Sequence, residues 1–237
     1  REIGKKALLM GNEALVRGAY EAGLDYASCY PGTPSSEVSN LLYELQGAGG
    51  FRMDFATNEK VAMEAVAGAS MGGLNCLTAM KHVGLNVAAD PLFIGAYVGV
   101  GGGFVIGVAD DPGMHSSQNE QDSRHYAEAA KLPMVEPADS VECKEFVRLA
   151  YEYSEKFDTP FILRLTTRVS HSSAPVELEG RCEKELAAYE KDPAKHVMMP
   201  GNAKRRHVVV EKRLEDLEDF ACSCPFNKIE KGGSLGI

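Results

Sequence analysis

From Gly11 to about Ile162 one cadence recurs: a short apolar run suited to a strand, a turn carrying Gly, Pro or Asn, then apolar residues at helical spacing. That alternation constrains the chain to a parallel α/β sheet, because parallel strands need a long crossover, usually a helix, between them. Strands are expected at Tyr26 to Tyr30, Phe51 to Ala56, Asn75 to Met80, Phe104 to Ala109, Pro133 to Glu136 and Phe161 to Leu165. Asn12 is placed to cap a helix carrying Leu15, Val16, Ala19 and Tyr20, with Gly23 as its stop. Pro34 is expected to open a second helix with Val38, Leu41, Leu42 and Leu45 inward. Thr57 or Asn58 caps an Ala-rich third, and Gly72-Gly73 ends it. Further helices are expected within the glycine-rich segment Gly84 to Gly103, at Tyr126 to Ala130 and at Ser140 to Tyr153. The pattern does not give the strand order.

Beyond Thr166 the composition changes. Ser170, Ser172, Ser173 and Pro175 read as a loop, and charged residues dominate from Glu179 to Lys231. The chain therefore divides into a domain over residues 1–178 and a charged linker or crossover arm over 179–237, with apolar surface only at Val208-Val209-Val210 and at Leu214, Leu217 and Phe220. Its last residues, Ser234 to Ile237, read as the start of another apolar strand. A formal charge of −9 leaves no broad basic stripe for phosphates, which argues against nucleic acid or anionic lipid as the main partner. No run of about 18 apolar residues is present, and Ala7 to Met10 is too short for a signal-peptide core, so no membrane association and a cytoplasmic address are expected. The six cysteines, scattered singly except Cys222 and Cys224, read as reduced thiols.

Four stretches carry chemistry. Tyr30-Pro31-Gly32-Thr33-Pro34-Ser35-Ser36 follows a strand and opens a helix, offering hydroxyls and amides where a helix dipole favours an anion; a plain turn capped by Thr33 or Ser35 explains it as well. Glu59 begins the Ala-rich helix, where a carboxylate suits the dipole whatever its role. Lys81-His82-Val83-Gly84-Leu85-Asn86 ends a buried strand with a cation and an imidazole, the latter either structural or catalytic. Asp110 to Arg124 gathers acids, amides, His115 and a guanidinium immediately after the most apolar strand, where ligands collect in open α/β sheets. No oxygen-ligand spacing of the calcium-loop kind appears there, so this chain is expected to hold no metal itself.

Taken in order, Gly11-Asn12-Glu13-Ala14, Tyr30 to Glu37, Asn58-Glu59-Lys60, Met80 to Asn86, and Asp110-Asp111-Pro112-Gly113 with Ser116 and Gln118 to Arg124 resemble one family, the thiamine-diphosphate-dependent 2-oxoacid:ferredoxin oxidoreductases. The resemblance runs from about Lys5 to Val176 and returns at Pro225-Phe226-Asn227-Lys228-Ile229-Glu230. It implies the pyrimidine-binding domain of that fold, a parallel sheet with helices on both faces. It further implies that Glu59 and His82 are catalytic, that Glu59, Pro31, Gly32 and Asn86 meet thiamine diphosphate, and that Thr33, Lys81, His115 and Arg124 meet the substrate. The family's Gly-Asp-Gly motif, whose Mg2+ holds the diphosphate, does not occur in this sequence, nor do its cluster-binding cysteines. The resemblance thus implies half of a composite site in a dimeric assembly. The remaining domains of an alpha subunit and a beta subunit would complete it, with iron–sulfur clusters elsewhere in the complex, and ferredoxin and CoA as co-substrates. Gly32 and Gly84 would leave room for an aromatic side chain, implying arylpyruvates such as indolepyruvate, converted to aryl-acyl-CoA. A pyruvate or 2-oxoglutarate type, or a non-catalytic assembly module, is the alternative.

Overall fold

The computed structural model describes residues 3–183, 186, 189–227, 229 and 232–233. Strand β1 (Lys6–Met10) runs directly into helix α1 (Gly11–Glu21). Then β2 (Tyr26–Cys29), α2 (Ser36–Gly49), β3 (Arg52–Phe55), α3 (Glu59–Met71) and β4 (Cys76–Lys81) alternate. Two short helices, α4 (His82–Val87) and α5 (Ala89–Val98), precede β5 (Phe104–Asp110), and α6 (Ser123–Ala130) leads to β6 (Met134–Val135). Helix α7 (Ser140–Phe157), β7 (Phe161–Thr166), α8 (Thr167–His171) and β8 (Ser173–Glu177) follow. The arm adds α9 (Pro193–His196) and α10 (Pro200–Ser223).

Six strands form one parallel sheet in the order β3-β2-β4-β5-β7-β6. Successive side chains of a strand point to opposite faces, and both faces here are covered. On one, Ala27, Leu77, Ala79, Val105, Ala109 and Leu163 pack with Leu15 of α1, Leu42 of α2 and Val147 of α7. On the other, Cys76, Met80, Phe104, Ile106, Val108 and Ile162 pack with Val66 of α3, Leu85 of α4, Leu92 of α5 and Ala127 of α6. The expected α/β architecture is therefore present, and parallel pairing brings all six carboxyl ends to one edge. No helix among the described residues is long and apolar enough to cross a membrane.

Locally the structure departs from the sequence pattern at several places. Helix α1 begins at Gly11 with Met10 as its N-cap residue; Asn12 is fully buried in the first turn and donates Nδ2 to the Pro34 carbonyl (2.7 Å) and to Glu37 (2.9 Å). Helix α2 begins at Ser36 rather than Pro34, because the amide and hydroxyl of Ser35 close a turn on the Gly32 carbonyl, each at 2.8 Å. The loop expected around Ser173 and Pro175 is instead β8, which pairs antiparallel with β1 from Lys6–Glu177 to Met10–Ser173. This two-stranded ribbon tolerates Pro175 because an edge ladder can lack one donor. The strand expected at Ser234 to Ile237 lies outside the described residues.

The charged arm contains a 24-residue helix, α10, clamped to the domain at one acid. Lys195 (2.8 Å), Arg206 (3.0 Å) and Arg213 (3.3 Å) all reach the Asp158 carboxylate. The same cations donate to the carbonyls of Val100 (3.0 Å), Tyr97 (2.6 Å) and Ala96 (2.6 Å). Those carbonyls lie at or just beyond the last turn of α5, where acceptors lack intrahelical partners and cations are favoured. Arg213 is only 5% exposed, so removing its counter-charge leaves a buried cation short of a partner. Asp158→Asn should therefore cost about 1–3 kcal/mol in urea unfolding and speed amide exchange along α10. Unchanged exchange there would show that apolar contacts alone hold the arm.

Candidate functional site

The connection after β2 runs outward to β3, whereas the connection after β4 runs the other way to β5, so the order reverses between β2 and β4. Ligands of open α/β sheets bind at such a switch point, outside the carboxyl ends of the strands. The two strands pair only at Tyr26–Cys76 and Ala27–Leu77, whereas β4 stays paired with β5 as far as Lys81–Ala109. The loop after β2 and the start of α4 therefore flank the point where β2 and β4 part.

Three buried polar side chains meet this edge without the partners that buried polar groups ordinarily have. Glu59 opens α3, where Asn58 caps the helix by accepting from the Val61 amide (3.0 Å). The residue is 8% exposed, and its carboxylate has no hydrogen-bond or ion-pair partner among the described residues. Lys81, also 8% exposed, donates only to the Ser116 carbonyl (3.3 Å) and faces no acid in an ion pair among the described residues. His82 is fully buried with both ring nitrogens unpartnered. Burial pushes its pKa down, and the Lys81 charge adds to that against the opposing pull of Asp110 and Asp111.

Two glycines bring these groups in. A Cβ on Gly84 would lie 2.7 Å from Glu59 Oε1, and one on Gly32 would lie 2.9 Å from Lys81 Cδ. The space expected to be free for an aromatic substrate is thus occupied: each glycine lets a charged side chain press against backbone. Beside them, Pro31 and Thr33 are exposed, and the amides of Gly32 and Thr33 have no acceptor among the described residues. Asn86 is exposed and donates Nδ2 to the Tyr126 hydroxyl (2.6 Å).

The loop after β5 is organised by two acids. Asp111 is fully buried; burial alone would raise its pKa, but bonds from the Ser116 amide (2.8 Å), the Thr167 hydroxyl (2.7 Å) and the Ser117 hydroxyl (2.7 Å) hold it well below the ordinary carboxylate range. Asp110, the last residue of β5, pairs with Arg164 of β7 (2.7 Å), which also reaches Glu136 (3.0 Å). Arg164 escaped the sequence reading because a single cation inside an apolar strand carries no motif. Arg124 does not join the Lys81 cluster by any ion pair: it binds Asp122 (2.7 Å) and lines a groove of about 870 Å³ with Leu217 and Phe220 of α10. His115 is exposed and lines a separate hollow of about 340 Å³ with Pro112, Thr166, Thr167 and Arg168. Cys29 and Cys143 are buried free thiols pushed up to about 12, so neither is a thiolate nucleophile.

The family model described as pyruvate flavodoxin/ferredoxin oxidoreductase, thiamine diP-binding, matches residues 17–216. An indolepyruvate oxidoreductase subunit IorA from Archaeoglobus fulgidus is 48% identical over 99% of this chain and 39% of its own length. The subunit of the same name from Methanothermobacter thermautotrophicus is 46% identical over 99% and 38%. A 2-oxoglutarate synthase subunit KorA from Archaeoglobus fulgidus is 30% identical over 90% and 63%. The chain thus spans about two fifths of the length of the IorA relatives. Among solved structures, a 2-oxoglutarate:ferredoxin oxidoreductase from Magnetococcus marinus superposes with a TM-score of 0.73 at 18% identity, over 91% of this chain and 46% of that one, a likeness of fold.

Because the native fold binds fewer protons at His82 than the unfolded chain, the stability this group contributes is complete above about pH 6.5 and declines as pH falls below it. An NMR titration should find its midpoint below the ordinary imidazole value of about 6.5; a midpoint at or above that value would contradict the burial. Asp111 acts in the same direction over a lower range, stabilising above about pH 4 and losing that contribution as pH drops. Asp111→Asn should cost about 1–3 kcal/mol at neutral pH, read from denaturant midpoints.

Proposed function

The chain belongs to the pyruvate flavodoxin/ferredoxin oxidoreductase thiamine-diphosphate-binding family, and from that we propose that it forms the pyrimidine-side wall of a composite 2-oxoacid oxidoreductase site. Residues 1–178 act as the pyrimidine-binding domain, and 179–237 lead toward the remainder of an alpha subunit. A beta subunit, Mg2+ bound by another domain and iron–sulfur clusters elsewhere complete the assembly, which works as a dimer in the cytoplasm. The substrate is an arylpyruvate, indolepyruvate foremost, oxidatively decarboxylated to the aryl-acyl-CoA with ferredoxin as electron acceptor. The aryl preference rests on relatives named for indolepyruvate at 43–48% identity, and no longer on open space at Gly32 and Gly84.

The observation that carries this reading is the unpartnered carboxylate of Glu59. A buried acid with no internal partner fits a ring nitrogen of an aminopyrimidine, with which it can share a proton, and a pure scaffold has no need of it. Thiamine diphosphate, when bound, supplies the carbon nucleophile that attacks a 2-oxoacid. Glu59 holds the proton at the pyrimidine nitrogen, and Gly84 sets how deeply the carboxyl sits. Pro31, Gly32 and Asn86 border the ring, with the free amides of Gly32 and Thr33 offering donors to a carbonyl or carboxylate. Lys81 favours the substrate's negative charge, because a buried ammonium without an acid partner is stabilised by an incoming anion. Neutral His82 can donate and accept a proton at the reacting face. Arg124 and His115 contribute at the periphery, nearer the chain's other hollows.

Two substitutions in the complete complex test this. Glu59→Gln should abolish turnover and leave the fold intact, since an amide cannot exchange the proton; wild-type rates would refute the assignment. Gly84→Ala should leave the melting temperature nearly unchanged, because the clash falls on the mobile end of a side chain. Its turnover should fall by about tenfold or more, since a displacement near 1 Å can cost about 100-fold. Full activity in Gly84→Ala would mean that the depth of the carboxyl is unimportant.

A further inference from the structure

The turn after β2 has its acceptors tied down and its donors left over. The Gly32 carbonyl accepts from the amide and the hydroxyl of Ser35, each at 2.8 Å. The Thr33 carbonyl accepts from the Ser116 hydroxyl at 3.5 Å, and the Pro34 carbonyl from Asn12 Nδ2 at 2.7 Å. Pro31 and Pro34 have no N–H, and the Ser35 amide is already bonded. The amides of Gly32 and Thr33 are the donors that remain, and Gly32 lies against the Lys81 stem. Where those two amides stand depends on how firmly the three carbonyls are held.

Asn12 is the tether that comes from outside the turn and bonds it well. Ser35 closes on a residue only three positions back, and the Ser116 bond is at the outer limit of hydrogen-bond length. Asn12 reaches the turn from α1, 22 residues away. The Pro34 carbonyl and the Glu37 carboxylate (2.9 Å) both accept, so the NH2 group must face them and both its protons are used. The residue is fully buried, and its oxygen has no partner. A buried acceptor left unmatched is costly, so the two donated bonds are what a carboxamide contributes at this position. The backbone that carries it is fixed. The Gly11 amide donates to the Ser172 carbonyl (3.2 Å), the Met10 amide donates to Glu13 (2.8 Å), and a Cβ on Gly11 would collide with the Val169 carbonyl.

We propose that Asn12 is a positioning residue for the 2-oxoacid. Through the Pro34 carbonyl it fixes the Gly32 and Thr33 amides where they meet the substrate's carboxylate or keto oxygen, in the same cluster as Lys81. This rests on the function proposed above. Of the two bonds Asn12 makes, the one to Pro34 carries the effect, because the Glu37 side chain is 38% exposed and also pairs with His171 (3.6 Å).

The test uses the complete complex with phenylpyruvate as the oxoacid, and reads steady-state rates together with hydrogen exchange by mass spectrometry. Asn12→Asp is nearly isosteric but lacks the donors. It should raise KM for phenylpyruvate by about tenfold or more, since a displacement near 1 Å can cost about 100-fold, while kcat and the KM for CoA stay close to wild type. Exchange of the Ser35 amide, read in a peptide spanning residues 31–38, should quicken, with the far end of α2 unchanged. Asn12→Ala, which removes the donors without adding a charge beside Glu37, should behave alike. Glu37→Gln keeps an acceptor oxygen for Asn12 and leaves the Pro34 bond in place, so it should match wild type in every readout. A lower kcat with an unchanged KM for phenylpyruvate would mark a loss of active enzyme rather than of positioning. Unchanged exchange at Ser35 would show that the turn keeps its place without Asn12. Either result overturns the proposal. Glu59→Gln turning over as wild type would instead sink the catalytic reading, and it would leave the exchange result at Ser35 untouched.

Discussion

Parallel pairing is the constraint on which the rest depends. It sends every strand's carboxyl end to one edge, and it obliges each connection to cross back over a face of the sheet. With the order reversing at β2 and β4, two connections leave in opposite directions and the segments that follow those strands stand open. The Gly32 turn, the Lys81–His82 corner and the first turn of α3 all project from that edge. Contacts at Gly32 and Gly84 join them, one against the Lys81 stem and one against the Glu59 carboxyl.

The two halves of this edge handle charge differently. Along β5 and β7 the buried acids are saturated: Asp110 has Arg164, and Asp111 has an amide and hydroxyls, which is how a buried charge is ordinarily tolerated. Along β2, β3 and β4 the opposite holds: among the described residues the Glu59 carboxylate and the His82 ring have no internal partner, and Lys81 has only the Ser116 carbonyl. Leaving buried polar groups unmatched is costly, on the order of 1–3 kcal/mol each, and proteins accept that mainly where something else is to be bound. The saturated half satisfies its own charges; on the function proposed above, a cofactor and substrate would supply the bonds missing in the unsaturated half.

Much of this was legible in the sequence because period and punctuation are local properties. The helices after β2 and β3, the long α7 and the apolar β5 each carry their own spacing and stops. What depended on distant partners was not legible. The ribbon of β1 and β8 needs residues at opposite ends of the domain, and neither half looks like a strand alone. The arm reads as a linker because α10 docks through a narrow apolar stripe, Val210, Leu217 and Phe220, and through Arg206 and Arg213 on one acid. Glycines misled in one respect: Gly32 and Gly84 signal close approach, but sequence cannot say whether the approaching group is a ligand or the protein's own Lys81 and Glu59. The switch point, too, required the strand order.

The decisive contact is the one made on the unmatched side of Glu59. A structure of the assembled complex with thiamine diphosphate bound tests it most directly. A Glu59 carboxylate oxygen should then lie within hydrogen-bond reach of a pyrimidine nitrogen, about 2.6–3.2 Å. A Glu59 turned to solvent, or paired with a cation of another domain while the pyrimidine sits elsewhere, would contradict it.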